Sequence, residues 1–143
     1  MTYELELGIA GEHIVCADLL GRRYRAFMSE QNCPYDVAME YNGKLIRIQV
    51  RTTGKPKYYP QKKQEHVFGY IWYLRVGKGG KRNFNPTSFD IIALVAFDTK
   101  QIAYISSKRA KTIIQIPVSG NKTDTVKKFS DFSLENALLD VIK

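Results

Sequence analysis

The sequence predicts an α/β or α+β domain built around one mixed sheet, and three observations predict it. Apolar residues recur at spacings of three and four near the N-terminus, at Leu7, Ala10, Ile14 and Ala17. A second stripe, Leu134, Ala137, Leu138 and Val141, lies near the C-terminus. Between the two stripes run short stretches rich in β-branched and aromatic residues, divided by turn residues. The 143 residues are the length of one domain with one core, so residues 1–143 are read as a single unit.

The elements follow in order. Residues 4–20 form a helix whose stop is Gly21. Residues 24–29, YRAFMS, make a short strand. Residues 35–41 and 44–52 flank Asn42-Gly43, a dipeptide that tolerates positive φ at both positions and signals a two-residue hairpin. HVFGYIWYLRV, 66–76, is rich in strand formers, and GKGGKRNFNP, 77–86, reads as a flexible basic loop. FDIIALVAFD, 89–98, is nearly continuous in apolar residues, as a central strand buried on both faces is. QIAYIS, 101–106, returns after a short turn, and SSKRAK, 106–111, reads as one helical turn. TIIQIPV is a short strand whose Pro117 places its end at a sheet edge. Ser133 caps the C-terminal helix.

No run approaches the ~20 apolar residues of a membrane span. The early glutamates of MTYELELGIAGE are not those of a signal peptide, so a cytoplasmic setting is expected. Cys16 and Cys33 have no metal-ligand spacing and are read as reduced thiols near the core. The formal net charge is +8, and its distribution is uneven. Residues 51–83 hold nine Lys or Arg against one acid, Glu65, an excess equal to that of the whole chain. Tyr58, Tyr59, Tyr70, Trp72 and Tyr73 are interleaved with these cations. A polyanionic partner explains the clustering, with aromatics either stacking on bases or belonging to the core.

The hairpin carries the other signal. If Tyr41 pairs with Lys44, Asp36 falls opposite Gln49, with Cβ atoms about 4.5–5.5 Å apart. Arg51 shares their face by alternation, while Ile46, Ile48 and Val50 form an apolar row on the other. On the hairpin alone this reads as a solvated sheet face, with Asp36 and Arg51 a surface ion pair worth about 0–1 kcal/mol. Two features shift that reading. Glu12 lies in the first helix between Gly8 and Gly11, and a helical glycine costs about 1 kcal/mol against alanine. Such glycines make sense where backbone closely approaches a ligand or a sheet. The second feature is the basic stretch that starts at Arg51. Carboxylates beside a polycationic face are suited to hold a divalent metal against a phosphate backbone.

At these residues the sequence resembles the PD-(D/E)XK nuclease superfamily. Glu12 matches the helix glutamate of that pattern, and Pro34-Tyr35-Asp36 resembles the Pro-Asp element with one residue inserted. Gln49-Val50-Arg51 matches the final acid-or-glutamine, apolar, lysine element, and the strand spelling IQVRTT is close to the IQVKT form of some members. FDIIALVAFDTKQIAYIS resembles the strand pair that follows, so the likeness spans about residues 8–106. The bacterial intron-encoded homing endonucleases of this superfamily are the most similar, and archaeal-type Holliday junction resolvases come next.

The resemblance implies a restriction-endonuclease-like mixed β-sheet core flanked by helices. It implies a Mg²⁺-dependent endonuclease (Mn²⁺ as substitute) that hydrolyses double-stranded DNA as a homodimer or homotetramer. The implied ligands are Asp36, Glu12, Gln49 and the Val50 carbonyl, with Arg51 at the scissile phosphate. Gln49 stands where an acid is commonest and ligates without charge. Arg51 stands where lysine is usual and stays protonated, so it is no general base. A junction-cutting nuclease and a DNA-binding relative without catalysis are the alternatives. The expected DNA contacts are Lys55, Lys57, Lys62, Lys63, Arg75, Lys78, Lys81 and Arg82, on a segment, 53–83, long enough to form a β-ribbon. Lys108, Arg109 and Lys111 form a second small cluster that is equally a solvated turn.

Overall fold

The computed structural model describes residues 2–60, 66–74, 85–118 and 128–143. Its elements are α1 (Tyr3–Gly21), β1 (Ala26–Met28), β2 (Val37–Tyr41), β3 (Lys44–Thr53), β4 (Lys57–Pro60), β5 (His66–Tyr73), β6 (Ile91–Ala96), β7 (Gln101–Ser106), β8 (Ile113–Pro117), a 3₁₀ turn (Phe129–Asp131) and α2 (Leu134–Ile142). Thr2 Oγ1 accepts from the Leu5 N–H at 3.3 Å to start α1, and Ser133 Oγ accepts from the Asn136 N–H at 3.2 Å to start α2.

Five strands form one sheet in the order β1-β2-β3-β6-β7, and β4-β5-β8 form a second. The large sheet is mixed: β3 and β6 run parallel, and its other pairs are antiparallel. Asn42 and Gly43 both take positive φ, 50° and 78°, and Tyr41 pairs with Lys44 as the dipeptide predicts.

All six residues of β6 are buried, so both faces of the large sheet must be covered. One face is closed by the helices. Val15 and Leu19 of α1 and Leu134 and Leu138 of α2 pack there with Val37, Met39, Ile46, Ile48 and Ile91. Tyr104 holds the two helices together: its hydroxyl donates to Asp18 at 2.6 Å, and Arg22 bridges Asp18 and Glu135.

Helices flank the mixed sheet as expected. Among the described residues α1 and α2 lie on the first face, and the second sheet covers the opposite one. Tyr70 and Trp72 of β5 and Ile114 and Ile116 of β8 pack against Ile92, Leu94, Ala103 and Ile105. The Trp72 indole N–H donates to the Val95 carbonyl at 3.1 Å and ties the two sheets. Alternation along β5 thus answers the question left by its aromatics: Tyr70 and Trp72 are core, while Tyr73 and Tyr58 are exposed. β8 is an edge strand ending at Pro117, as predicted. Residues 107–109 form a turn rather than a helical one. Cys16 is buried and Cys33 exposed, both as free thiols.

Candidate active site

The ladder between β2 and β3 ends at Val37 opposite Ile48. In a hairpin closed by a two-residue turn, alternate pairs exchange both backbone hydrogen bonds, so Tyr35 would be the next partner of Val50. The chain leaves that register at Asp36. Its N–H donates to the Ile48 carbonyl at 2.9 Å, and its carboxylate accepts the Val50 N–H at 2.8 Å. The Tyr35 carbonyl instead accepts from the Ser29 hydroxyl. A side chain has replaced a strand carbonyl, and the two strands part where the acid sits. Burial raises the Asp36 pKa above the ordinary carboxylate range, against the lowering pull of the Val50 N–H and the Arg51 charge.

Glu12 reaches this point from α1. Burial, with added repulsion from Asp36, pushes its pKa up to about 7. Helix α1 lies on β3 at Gly11, where a Cβ would stand 2.9 Å from the Thr52 Cβ and overlap the Thr52 hydroxyl. That contact explains one of the two glycines predicted to allow close approach. At Gly8 a Cβ would meet nothing within 4 Å.

Gln49 and Arg51 lie across β3 from the helices. Together with Leu74, Ser88 and Ile92 they line a cleft of about 180 Å³. Arg51 Nη1 donates to the Val50 carbonyl at 3.3 Å, so the cation is held beside Asp36 while not bonded to it. Asp36 thus acts on the Glu12 carboxyl and feels the Arg51 charge, and Gln49 lines the cleft with Arg51.

Among the described residues no three His, Cys, Asp or Glu side chains group as a metal site. The donor chemistry still fits a hard cation such as Mg²⁺. Asp36 and Glu12 are two desolvated, mutually repelling carboxylates, and Mg²⁺ is commonly held by one or two carboxylates with water completing its shell. The Val50 carbonyl, taken by Arg51, is the weakest member of the predicted set.

The chain matches the structure of a bacterial homing endonuclease, I-Ssp6803I, with a TM-score of 0.69 over 96% of this chain and 93% of that one. The fold is nuclease-like. Sequence identity is 12%, so the likeness is one of fold. No family model and no curated protein matches the sequence.

The predicted DNA contacts divide. Lys55 and Lys57 are exposed, and the Lys57 ammonium lies 5.6 Å from the centre of the Tyr73 ring. Tyr58 is 70% exposed beside Phe68. Lys62, Lys63, Arg75, Lys78, Lys81 and Arg82 lie outside the described residues. In the second cluster, Lys108 donates to the Asp140 carbonyl at 3.1 Å and Arg109 pairs with the Asp140 carboxylate at 2.8 Å. Those two cations therefore complement the end of α2, where the helix dipole is negative.

Sequence reasoning passed over Asn85 and Ser88 on the cleft rim. The Asn85-Pro86 dipeptide was a legible turn signal there. It also passed over Asp90, which accepts the Arg47 N–H at 2.8 Å and the same residue's guanidinium at 3.2 and 3.3 Å.

Proposed function

We propose that this protein is a divalent-metal-dependent DNA endonuclease of the PD-(D/E)XK kind, homing-endonuclease-like, acting on double-stranded DNA. The observation that carries the reading is the desolvated Asp36–Glu12 pair at the point where β2 leaves β3, on a nuclease-like fold. Such a pair is costly unless a cation offsets it.

Asp36 and Glu12 would hold the cation with their carboxylates, and Gln49 would add a neutral oxygen. When bound, Mg²⁺ acidifies the attacking water and offsets charge on the phosphate. Water attacks phosphorus as the bond to the 3′ oxygen breaks; the attacking water loses a proton to solvent and the departing 3′ oxygen takes one from solvent, which yields a 5′ phosphate and a 3′ hydroxyl. Arg51 orients the phosphate and neutralises charge that grows in the transition state. It does not accept the proton, because guanidinium stays protonated at any working pH. Val50 holds Asp36 in place through its N–H. Lys55 and Lys57, with Lys62, Lys63, Arg75, Lys78, Lys81 and Arg82, are the proposed contacts to the DNA backbone. A cut through both strands needs two such sites, which makes the active form a dimer or tetramer.

One observation favours a second reading, DNA binding without cleavage. Arg51 replaces the usual lysine and occupies the Val50 carbonyl. A plasmid assay separates the two. Supercoiled plasmid carrying a library of inserts is incubated with and without Mg²⁺, using Asp36→Asn as control. Mg²⁺-dependent nicking or linearisation that vanishes in the variant supports the nuclease. Salt-dependent binding with no cut supports the binding protein.

A further inference from the structure

We propose that the cleft beside Gln49 and Arg51 is a subsite for one unstacked, pyrimidine-sized base of the strand being cut. The inference rests on the nuclease reading and adds a substrate preference to it.

The cleft is shared with the phosphate-facing residues. Gln49 and Arg51 form its wall, so a base that fills it can belong to a nucleotide whose phosphate lies at Arg51. Its floor is apolar. Leu74, Phe89 and Ile92 are each less than 5% exposed and offer nothing to an ion or to a second phosphate. A base has apolar faces and a polar edge, and the rim matches that edge with neutral groups. Ser88 supplies a hydroxyl, and Gln49 its amide NH₂, the oxygen being the group proposed for the cation. Asn85 spends its amide oxygen on Thr87, accepting from the N–H at 3.0 Å and the hydroxyl at 2.7 Å, so its NH₂ is the group it offers.

Size narrows the occupant. An apolar cavity of about 150 Å³ holds one benzene ring. At about 180 Å³ this cleft holds one six-membered ring with its substituents. A base reaches it only after leaving the stack, which costs least where pairing is already absent. The protein therefore favours DNA with an unpaired pyrimidine beside the cut over a perfect duplex. That preference bears on whether linear or distorted DNA is the substrate.

The test is binding of the full chain, in EDTA, to two 30-mer duplexes of one sequence. One is fully paired and the other carries a single central unpaired thymine. The bulged duplex should bind more tightly, on the order of tenfold, the scale of one stacked base. Ser88→Trp or Asn85→Tyr, each filling the cleft from its rim, should erase the preference and leave affinity for the paired duplex unchanged. Equal affinity of the wild-type chain for both duplexes overturns the subsite, as does a preference that survives in a folded variant. Plasmid cleavage is read in parallel. Mg²⁺-dependent cleavage without a bulge preference sinks the subsite alone. Absence of any DNA binding sinks both readings.

Discussion

Strand β3 is bordered by two aspartates that meet it in the same way and end in opposite states. On the β6 side, Asp90 accepts the Arg47 N–H and two bonds from the Arg47 guanidinium. On the β2 side, Asp36 accepts the Val50 N–H, yet Arg51 turns its guanidinium to a carbonyl. Asp90 is a finished ion pair, with both oxygens engaged by a forked partner. Asp36 is unfinished: it is desolvated, and its nearest charged neighbours are a cation bonded elsewhere and a second carboxylate, Glu12. A structural acid is recognised by the completeness of its bonding. An acid kept for a ligand is recognised by what it lacks.

The largest expected effect separates these two residues. Asp36→Asn should lower cleavage by at least ~100-fold while leaving DNA affinity nearly unchanged. It should also raise the melting temperature at pH 7. The native state lifts the Asp36 pKa, so its charge opposes folding at any pH where it is ionised. Asp90→Asn should do the reverse, keeping cleavage and losing about 2 kcal/mol of stability through its charge-assisted bonds. Plasmid cleavage and thermal unfolding of both variants decide the matter. Equal behaviour of the two would erase the contrast.

Gly11→Ala comes next. Its methyl group collides with Thr52, which forces α1 off β3 and draws Glu12 away from Asp36. Overpacking of this sort costs about 1–3 kcal/mol, and cleavage should fall with it. Thr52→Ala removes the obstructing hydroxyl and γ-methyl. The double variant should therefore regain part of the stability and activity lost in Gly11→Ala, since the residue 52 Cβ still lies 2.9 Å from the new methyl.

Glu12 gives a smaller, pH-dependent effect. Its folded pKa of about 7 lies above the ordinary 4.5. Between those values the unfolded chain holds fewer protons, so metal-free stability should fall as pH rises from about 4.5 to 7. Glu12→Gln should flatten that slope, and a slope that survives the change would place its origin elsewhere. The smallest effect is expected at Lys57. Lys57→Ala should reduce the slope of log affinity against log salt by about 0.9, the value for one phosphate contact on a duplex, with cleavage of bound DNA unchanged.

Much of this arrangement is legible in the residues themselves. Asn42-Gly43 sets the hairpin register from Tyr41–Lys44 to Val37–Ile48, while the expected pairing of Asp36 with Gln49 does not form. The departure at Asp36 is not legible, because register arithmetic assumes a ladder that continues, and whether it does depends on Ser29 claiming the Tyr35 carbonyl. The charge of 53–83 masks the alternation that sends Tyr70, Trp72 and Leu74 into the core as a second sheet. Arg47 and Asp90 are distant in sequence, and only the placement of β6 beside β3 brings them together. Lys108 and Arg109 carry the same charge as the other cations, and their role as helix-end partners depends on where α2 docks.

The parallel pairing of β3 with β6 has a consequence for how such a chain can diversify. To run parallel, the backbone must travel back across the sheet between Thr53 and Ile91, and that return contains β4 and β5. Asp36, Gln49 and Arg51 all precede it. Each doubling of a closing segment costs only about 0.6 kcal/mol, so insertions there are cheap while the strands that bear the acids stay fixed. The connections on either side of β5 can thus change length without moving the strands that bear the carboxylates, while Tyr70 and Trp72 stay fixed in the core between the sheets.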